Sequence, residues 1–123
     1  MKKILIADDR SEVVELVKVT LEGEGYRTID ASDGREALEK IRKEKPDLVL
    51  LDIVMPKMDG FEVLSQLKKD PVLKEIPIIM LTAKGQKPDQ EKGRRLGAQD
   101  YIAKPFSPSA LLKRIEEILA GVG

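Results

Sequence analysis

One aspartate of this chain, Asp52, directly follows four apolar residues, Leu48 to Leu51, and precedes Ile53 and Val54. An apolar run of this kind is typical of a strand that is buried on both faces of a parallel sheet. Carboxylates are almost never fully buried without a partner. We therefore expect Asp52 to lie at the end of its strand, where another group compensates its charge.

The other predicted strands also end in residues that could do chemistry. Asp8 and Asp9 follow the first strand, Thr82 ends the fourth, and Lys104 follows the fifth. The carboxyl ends of parallel strands meet at one edge of the sheet, where open α/β proteins bind ligands. Three close carboxylates repel one another unless a cation lies among them, and oxygen ligands favour magnesium, manganese or calcium. The pattern therefore predicts an acidic metal pocket with a hydroxyl and an ammonium group beside it.

Each of these residues also has an ordinary structural explanation. Asp9 and Glu12 have the spacing of a helix capping box, with Asp in place of Ser or Thr, so an aspartate after the first strand could simply cap a helix. Thr82 could be an ordinary β-branched strand residue, and Lys104 a solvated one. For Asp52 the functional interpretation is favoured because apolar residues surround it. Taken together, the four strand ends are harder to explain by packing than any one of them alone.

The composition limits the chemistry that is available. The 123 residues include no Cys and no His, which argues against disulfides, zinc sites and catalysis by histidine. Lys plus Arg and Asp plus Glu both number 22, so no net charge attracts nucleic acid or an anionic membrane. The amino-terminal sequence MKKILIADD has too short an apolar stretch for a signal peptide or a membrane span. We therefore expect a cytoplasmic protein with no direct nucleic-acid partner and no membrane partner.

Strand-like and helix-like segments alternate along the whole chain. Five apolar runs, at residues 3–7, 26–31, 47–52, 76–82 and 100–103, are separated by segments with helical periodicity. Continuous apolar strands between helices predict one α/β domain with a parallel sheet that is covered on both faces. The first helix is expected to bury Val13, Leu16, Val17 and Leu21. The last helix is expected to start at Ser107 as its cap, with Pro108 as the first helical residue. Its buried face is expected to contain Leu111, Leu112, Ile115, Ile118 and Leu119.

Four motifs occur in order along the chain: IADD at residues 6–9, LLDIVMPKMDG at 50–60, MLTAKG at 80–85 and DYIAKPFSP at 100–108. With these motifs the sequence resembles the receiver domain of two-component response regulators, the CheY-like family, over essentially its whole length. The resemblance implies a flavodoxin-like (βα)5 fold, a doubly wound parallel five-stranded sheet with strand order 2-1-3-4-5. It also implies a single receiver domain over residues 1–123, with no output domain, that acts as a phosphorylated switch and not as an enzyme.

The resemblance assigns the acceptor and the metal ligands. Asp52 would be the phosphoryl acceptor in a phosphorelay. Asp9, Asp52 and the backbone carbonyl of Val54 would hold Mg²⁺, or alternatively Mn²⁺, and Asp8 would act mainly through bound water. The carboxylate is itself the nucleophile, so the absence of histidine is no obstacle. The phosphoryl donor must then be another molecule: a histidine kinase, a phosphotransfer protein or a small donor such as acetyl phosphate. The first helix and the loop 105–107 would face that donor.

The resemblance also implies how phosphorylation changes the surface of the protein. Lys104 would pair with the phosphoryl oxygens, Thr82 would donate its hydroxyl to them, and Tyr101 would turn inward into the space that Thr82 leaves. A fourth helix that begins at Pro88 and contains Gly93 has little apolar face, so we expect it to be the least stable helix. The fourth helix, last strand and last helix would form the surface for a downstream protein. The chain would be a monomer or a phosphorylation-dependent dimer.

Three other protein classes can be compared with a receiver domain. A haloacid-dehalogenase-like phosphatase needs a second aspartate two residues after the first, where this chain has Val54. A flavodoxin needs a phosphate-binding loop after the first strand, but the segment ADDRSE would repel a phosphate. The serious alternative is a receiver-like interaction module that works without phosphorylation. The apolar side chain of Val54 cannot orient a hydrolytic water. We therefore predict slower self-dephosphorylation than in relatives with a polar residue at this position.

Overall fold

Strands and helices alternate throughout the computed structural model, which describes residues 1–83 and 87–121. The strand bounds lie within two residues of the predicted ones. No helix in these ranges is long and apolar enough to cross a membrane. The elements are β1 (Lys3–Ala7), α1 (Ser11–Gly23), β2 (Arg27–Ala31), α2 (Gly34–Glu44), β3 (Leu48–Asp52), α3 (Gly60–Lys69), β4 (Ile78–Ala83), α4 (Lys87–Arg95), β5 (Asp100–Lys104) and α5 (Pro108–Gly121).

The five strands form one parallel sheet in the order β2-β1-β3-β4-β5. This order confirms the predicted flavodoxin-like fold. β1 pairs with β2 on one side and with β3 on the other, so the order of the chain reverses beside β1. Ligands bind outside the carboxyl ends of strands at such a reversal. The register pairs Ala7 with Leu51, and therefore Asp8 and Asp52 leave their strands side by side.

Helices cover both faces of the sheet and enclose two apolar cores. One core contains residues of α2 and α3, and the other contains residues of α1 and α5. All five residues of β3 are buried, as the continuous apolar run predicts. Two helix faces are less buried than expected: Leu16 of α1 is 47% exposed, and in α5 only Leu111 and Ile115 are fully buried.

Side-chain caps fix the starts of three helices. Asp33 accepts a hydrogen bond from the Glu36 backbone N–H at 2.7 Å, and Asp59 accepts one from the Glu62 N–H at 2.9 Å. The predicted cap of the last helix is confirmed, since the Ser107 hydroxyl accepts from the Ala110 N–H at 3.1 Å. Such caps stabilise a helix by about 1 kcal/mol each.

The start of α1 differs from the other three. Its N-cap residue is Arg10, and no side chain caps it. The capping-box interpretation of Asp9 and Glu12 is therefore wrong. One oxygen of Asp8 instead accepts from the Arg10 backbone N–H at 2.9 Å, one residue before the helix begins. This bond orients Asp8 towards the end of the sheet, and Asp9 is left exposed.

α4 packs weakly against the rest of the fold. Its one buried residue is Gly93, where an added methyl group would lie 3.4 Å from the Met80 side chain. Its other residues are polar or charged, apart from Pro88, and its last turn is basic. A helix with so little buried apolar surface gains little from tertiary packing. That it is the least stable helix stays a prediction.

Candidate functional site

Three carboxylates lie together where β1 and β3 end. Asp8, Asp9 and Asp52 each place one oxygen within 4.8 Å of the others. Asp8 is 1% exposed and Asp52 is 8% exposed, whereas Asp9 faces solvent. Adjacent parallel strands position the two buried carboxylates, because β1 and β3 end at the same level of the sheet. The predicted convergence of these three residues is therefore observed.

Lys104 brings a positive charge to the same cluster from the end of β5. Its ammonium nitrogen lies 2.6 Å from Asp8 Oδ2 and 3.3 Å from Asp52 Oδ1. Its side chain is only 17% exposed, so the solvated interpretation of this lysine is wrong. The next peptide bond, Lys104–Pro105, is cis.

The cluster carries more negative than positive charge. Burial raises the pKa of the Asp52 carboxyl, and the nearby Asp8 charge raises it further, while Lys104 lowers it. Within residues 1–83 and 87–121, Lys104 alone forms ion pairs with this cluster, to Asp8 and Asp52, so repulsion among the three carboxylates remains. Hard divalent cations prefer such all-oxygen ligands, and the donor set suits Mg²⁺ or Mn²⁺.

A buried hydroxyl lies at the end of the neighbouring strand β4. Thr82 is 1% exposed, and its Oγ1 atom has no hydrogen-bond partner within residues 1–83 and 87–121. An unsatisfied buried polar group costs about 1–3 kcal/mol, so such atoms call for an explanation. A hydroxyl that is held ready for a partner absent from the resting protein would explain this one.

The segment after Asp52, residues 53–59, turns back over the end of the sheet. The Gly60 N–H donates to the Ile53 carbonyl at 2.7 Å and closes this turn at its base. A methyl group at Gly60 would lie 2.3 Å from the Asp52 carbonyl oxygen, so only glycine allows α3 to begin this close to the strand. The turn holds Val54 with its side chain 76% exposed, and Val54 lines the mouth of the site.

A cavity of about 660 Å³ opens over the carboxylates. Its walls combine the polar groups of the site with apolar residues of α1 and of the loop after β5, including Leu16 and Phe106. Asp89 of α4 also lines it. Sequence reasoning missed both Leu16 and Asp89 as site residues. The apolar periodicity of α1 predicts a core position for Leu16, and no local signal marks Asp89.

Tyr101 is held by α4 and not by the acidic cluster. Its hydroxyl is hydrogen-bonded to the Arg94 guanidinium at 2.8 Å, and the guanidinium carbon lies 4.6 Å from the centre of the ring. The ring is partly buried against the core below α2 and α3. Arg94 therefore joins the Tyr101 side chain to α4 by a specific contact.

The sheet order, the acidic cluster at its switch point and the facing lysine define a CheY-like receiver site. The chain matches the family model described as response regulator receiver domain over residues 4–116. It belongs to that family, the receiver domains of two-component systems.

Relatives agree with this assignment. The chain is 49% identical over 118 residues to the alkaline phosphatase synthesis transcriptional regulatory protein PhoP of Bacillus subtilis, covering 96% of this chain and 48% of PhoP. It is 43% identical to the phosphate regulon transcriptional regulatory protein PhoB of Pseudomonas aeruginosa, covering 99% and 53%. The chain thus spans about half the length of these curated relatives. The chemotaxis response regulator CheY4 of Vibrio cholerae has a similar structure, with a TM-score of 0.91 and 36% identity, covering 96% of this chain and 98% of CheY4.

Proposed function

We propose that this chain is a phosphorylation-controlled switch in which Asp52 accepts a phosphoryl group from a phosphohistidine in a Mg²⁺-dependent step. The observation that carries the proposal is the position of Asp52. Its carboxylate is buried at a strand end, beside two further carboxylates and 3.3 Å from the Lys104 ammonium group. A histidine kinase or a phosphotransfer protein would supply the phosphoryl group.

The residues of the site suit an in-line phosphoryl transfer. One Asp52 oxygen forms a bond to phosphorus while the bond from phosphorus to the donor imidazole nitrogen breaks, and its electron pair stays on the imidazole. Asp9, Asp52 and the Val54 carbonyl would hold Mg²⁺, with Asp8 acting through bound water. When bound, Mg²⁺ supplies the positive charge that offsets the phosphoryl oxygens and aligns them. Lys104, whose ammonium nitrogen lies 3.3 Å from Asp52 Oδ1, would pair with those oxygens.

Phosphorylation would reach the surface through Thr82 and Tyr101. The Thr82 hydroxyl, which has no hydrogen-bond partner among residues 1–83 and 87–121, is a donor that the new phosphoryl oxygens can use. Thr82 leaves space when it moves, and the Tyr101 ring would turn into that space and release Arg94. This changes the surface formed by α4, β5 and α5, which would bind a downstream partner. We infer that the phosphorylated form acts as a monomer or as a dimer through this surface.

PhoP and PhoB are named as transcriptional regulatory proteins, and this chain matches about half of each. We infer that the switched surface controls either an output domain joined to this receiver or a separate protein. The formal net charge of zero gives the receiver itself no general attraction to nucleic acid.

Intact-mass spectrometry after incubation with Mg²⁺ and acetyl phosphate tests the proposal. We expect the gain of one phosphoryl group in the wild-type chain. Asp52→Ala and a sample with excess chelator are the controls, and neither should gain mass.

Each result has a defined meaning. If no phosphoryl group is gained and Mg²⁺ does not bind, the chain is a receiver-like interaction module that works without phosphorylation. Gain of mass in Asp52→Ala would move the acceptor to another residue. If Mg²⁺ binds but acetyl phosphate does not react, the same assay with a phosphorylated histidine phosphotransfer protein shows whether Asp52 accepts a phosphoryl group from a protein donor.

A further inference from the structure

The first residue of α2, Gly34, touches the turn that carries Val54. Gly34 is buried, and a methyl group added to it would lie 1.8 Å from the Met58 carbonyl oxygen and 2.6 Å from the Met58 carbonyl carbon. No side chain fits at this distance, because real Cβ atoms essentially never approach another atom closer than 3.0 Å. The obstacle is backbone, so no side-chain rotation relieves it.

Further contacts join the start of α2 to the same turn. The Gly34 N–H donates to the Pro56 carbonyl at 3.4 Å, and that carbonyl also accepts from the Met58 N–H at 2.7 Å. Lys57, between them, has a left-handed φ of 68° and places its ammonium nitrogen 3.5 Å from Asp33 Oδ2. Asp33 in turn caps α2. The tip of the turn is therefore fixed against α2, while the bond from Gly60 fixes its base.

We propose that Gly34 is a positioning residue for the turn 53–59, and through it for the Val54 carbonyl beside Asp52. Gly34 touches neither a metal nor a phosphoryl group, and it acts by allowing the tip of the turn to seat on α2. This inference rests on the proposed function, because it concerns the Mg²⁺ ligands that the proposed function assigns.

The size of the steric clash at Gly34 determines how much we expect Mg²⁺ affinity to fall. To accept a methyl group at Gly34, the Met58 carbonyl must move by about 1 Å. Met58 is packed against the core below α2 and α3, so this shift is passed along the turn towards Val54. Metal sites tolerate displacements of only about 0.2 Å in ligand distances, and disturbing groups that orient ligands typically costs 10–100-fold in affinity.

The first test compares Gly34→Ala with Gly23→Ala. Gly23 lies at the end of α1 with nothing within 4 Å of an added methyl group, so it controls for the glycine-to-alanine change itself. Calorimetry gives the Mg²⁺ dissociation constant, and urea unfolding followed by circular dichroism gives stability. We expect Gly34→Ala to weaken Mg²⁺ binding about tenfold or more. Phosphorylation by acetyl phosphate should need correspondingly more Mg²⁺, with much of the rate recovered at saturation. Gly23→Ala should match the wild type.

A purely structural role predicts a different pattern. In that case Gly34→Ala would be less stable, but its folded form would bind Mg²⁺ within about twofold of the wild-type affinity. That result would overturn the inference.

The second test uses the wild-type chain and does not depend on whether Gly34→Ala folds. Coupling between sites is reciprocal, so a turn that α2 positions for Mg²⁺ must be tightened against α2 by Mg²⁺. We expect Mg²⁺ to slow hydrogen exchange of the Gly34 amide by about threefold or more. Gly25, which lies between α1 and β2 and donates its N–H to the Glu22 carbonyl, is the internal control. Its amide exchange rate should not change when Mg²⁺ is added.

The two proposals fail in different ways. If the wild-type chain binds no Mg²⁺, both the proposed function and this inference are contradicted. A wild-type chain that binds Mg²⁺ and is phosphorylated, but leaves the Gly34 amide unchanged, overturns the inference alone.

Discussion

Lys104 and Asp8, which are 96 positions apart in the chain, form the closest ion pair of the acidic cluster. The ammonium nitrogen is 2.6 Å from Asp8 Oδ2, and the Asp8 side chain has no exposed surface. The same ammonium group reaches Asp52 at 3.3 Å. Lys104 thus places a positive charge between two buried carboxylates.

Lys104→Met tests this role. Removing the ammonium group leaves the Asp8 carboxylate buried without its cation, and breaking a charged hydrogen bond of this kind costs on the order of 2 kcal/mol. We expect the metal-free variant to be less stable by about that amount in urea unfolding. Because the carboxylates then lack a competing cation, Mg²⁺ should bind the variant more tightly and restore part of its stability. Equal stability of variant and wild type in the presence of chelator would contradict this.

Asp52 should make the metal-free protein less stable as pH rises. Burial, and then the charge of Asp8, raise the pKa of the folded-state carboxyl, so the folded protein binds this proton more tightly than the unfolded chain. Stability therefore falls as pH rises from the unfolded-state pKa, about 3.9, through the raised folded-state pKa. Asp52→Asn cannot ionise and should be more stable than wild type at pH 7 in chelator. That difference in stability should vanish below the unfolded-state pKa. Urea unfolding across a pH series measures it, and a wild type more stable than Asp52→Asn at pH 7 would contradict the prediction.

Thr82→Val removes the buried hydroxyl at the end of β4. Its Oγ1 has no hydrogen-bond partner in the described part of the chain, so its replacement by a methyl group of similar size should stabilise the unphosphorylated protein by about 1 kcal/mol. Phosphorylation at Asp52 should still occur, but the amide shifts that it causes in α4 and β5 should largely disappear. Thr82→Ser keeps the hydroxyl and serves as the control. Full phosphorylation-induced shifts in Thr82→Val would show that the hydroxyl plays no part.

Val54 is expected to prolong the life of the phosphorylated form. Its side chain lines the cavity over Asp52, is 76% exposed and has no polar atom to orient a water. A polar side chain there could hold the attacking water, and orientation of this kind readily contributes tenfold or more in rate. We predict that Val54→Asn loses its phosphoryl group about tenfold faster. The loss of the phosphorylated species after removal of acetyl phosphate, followed by mass spectrometry, measures this. Equal half-lives in Val54→Asn and the wild type would contradict the prediction.

Arg94 is expected to restrain Tyr101 in the unphosphorylated protein. The hydrogen bond at 2.8 Å and the stacked guanidinium at 4.6 Å would both be lost in Arg94→Ala, and an exposed cation–π contact alone contributes about 0.5–1 kcal/mol. The Tyr101 ring resonances of Arg94→Ala should then shift towards those of the phosphorylated wild type. The chain has only two tyrosines, so Tyr26→Phe assigns the signals. Arg95→Ala, one position along, should leave the ring unchanged.

Much of the fold follows from local patterns in the sequence. The apolar run before Asp52 predicts a strand buried on both faces, and β3 is buried throughout. Ser107 and Pro108 predict the start of α5, and the Ser107 cap is observed. Local patterns failed where burial depends on a distant element. Leu16 fits the apolar face of α1, yet it is 47% exposed and lines the cavity.

The sequence by itself determined the strand ends and the types of residue that they carry, because strand and helix periods are local properties of the chain and parallel strands end at a common edge. Only the tertiary structure decided which groups touch. It pairs Lys104 with Asp8, buries the Thr82 hydroxyl and places the Met58 carbonyl against Gly34. These contacts join segments far apart in the chain at distances of a few ångströms, and such distances follow from the packing of all the elements together, since no single segment specifies them.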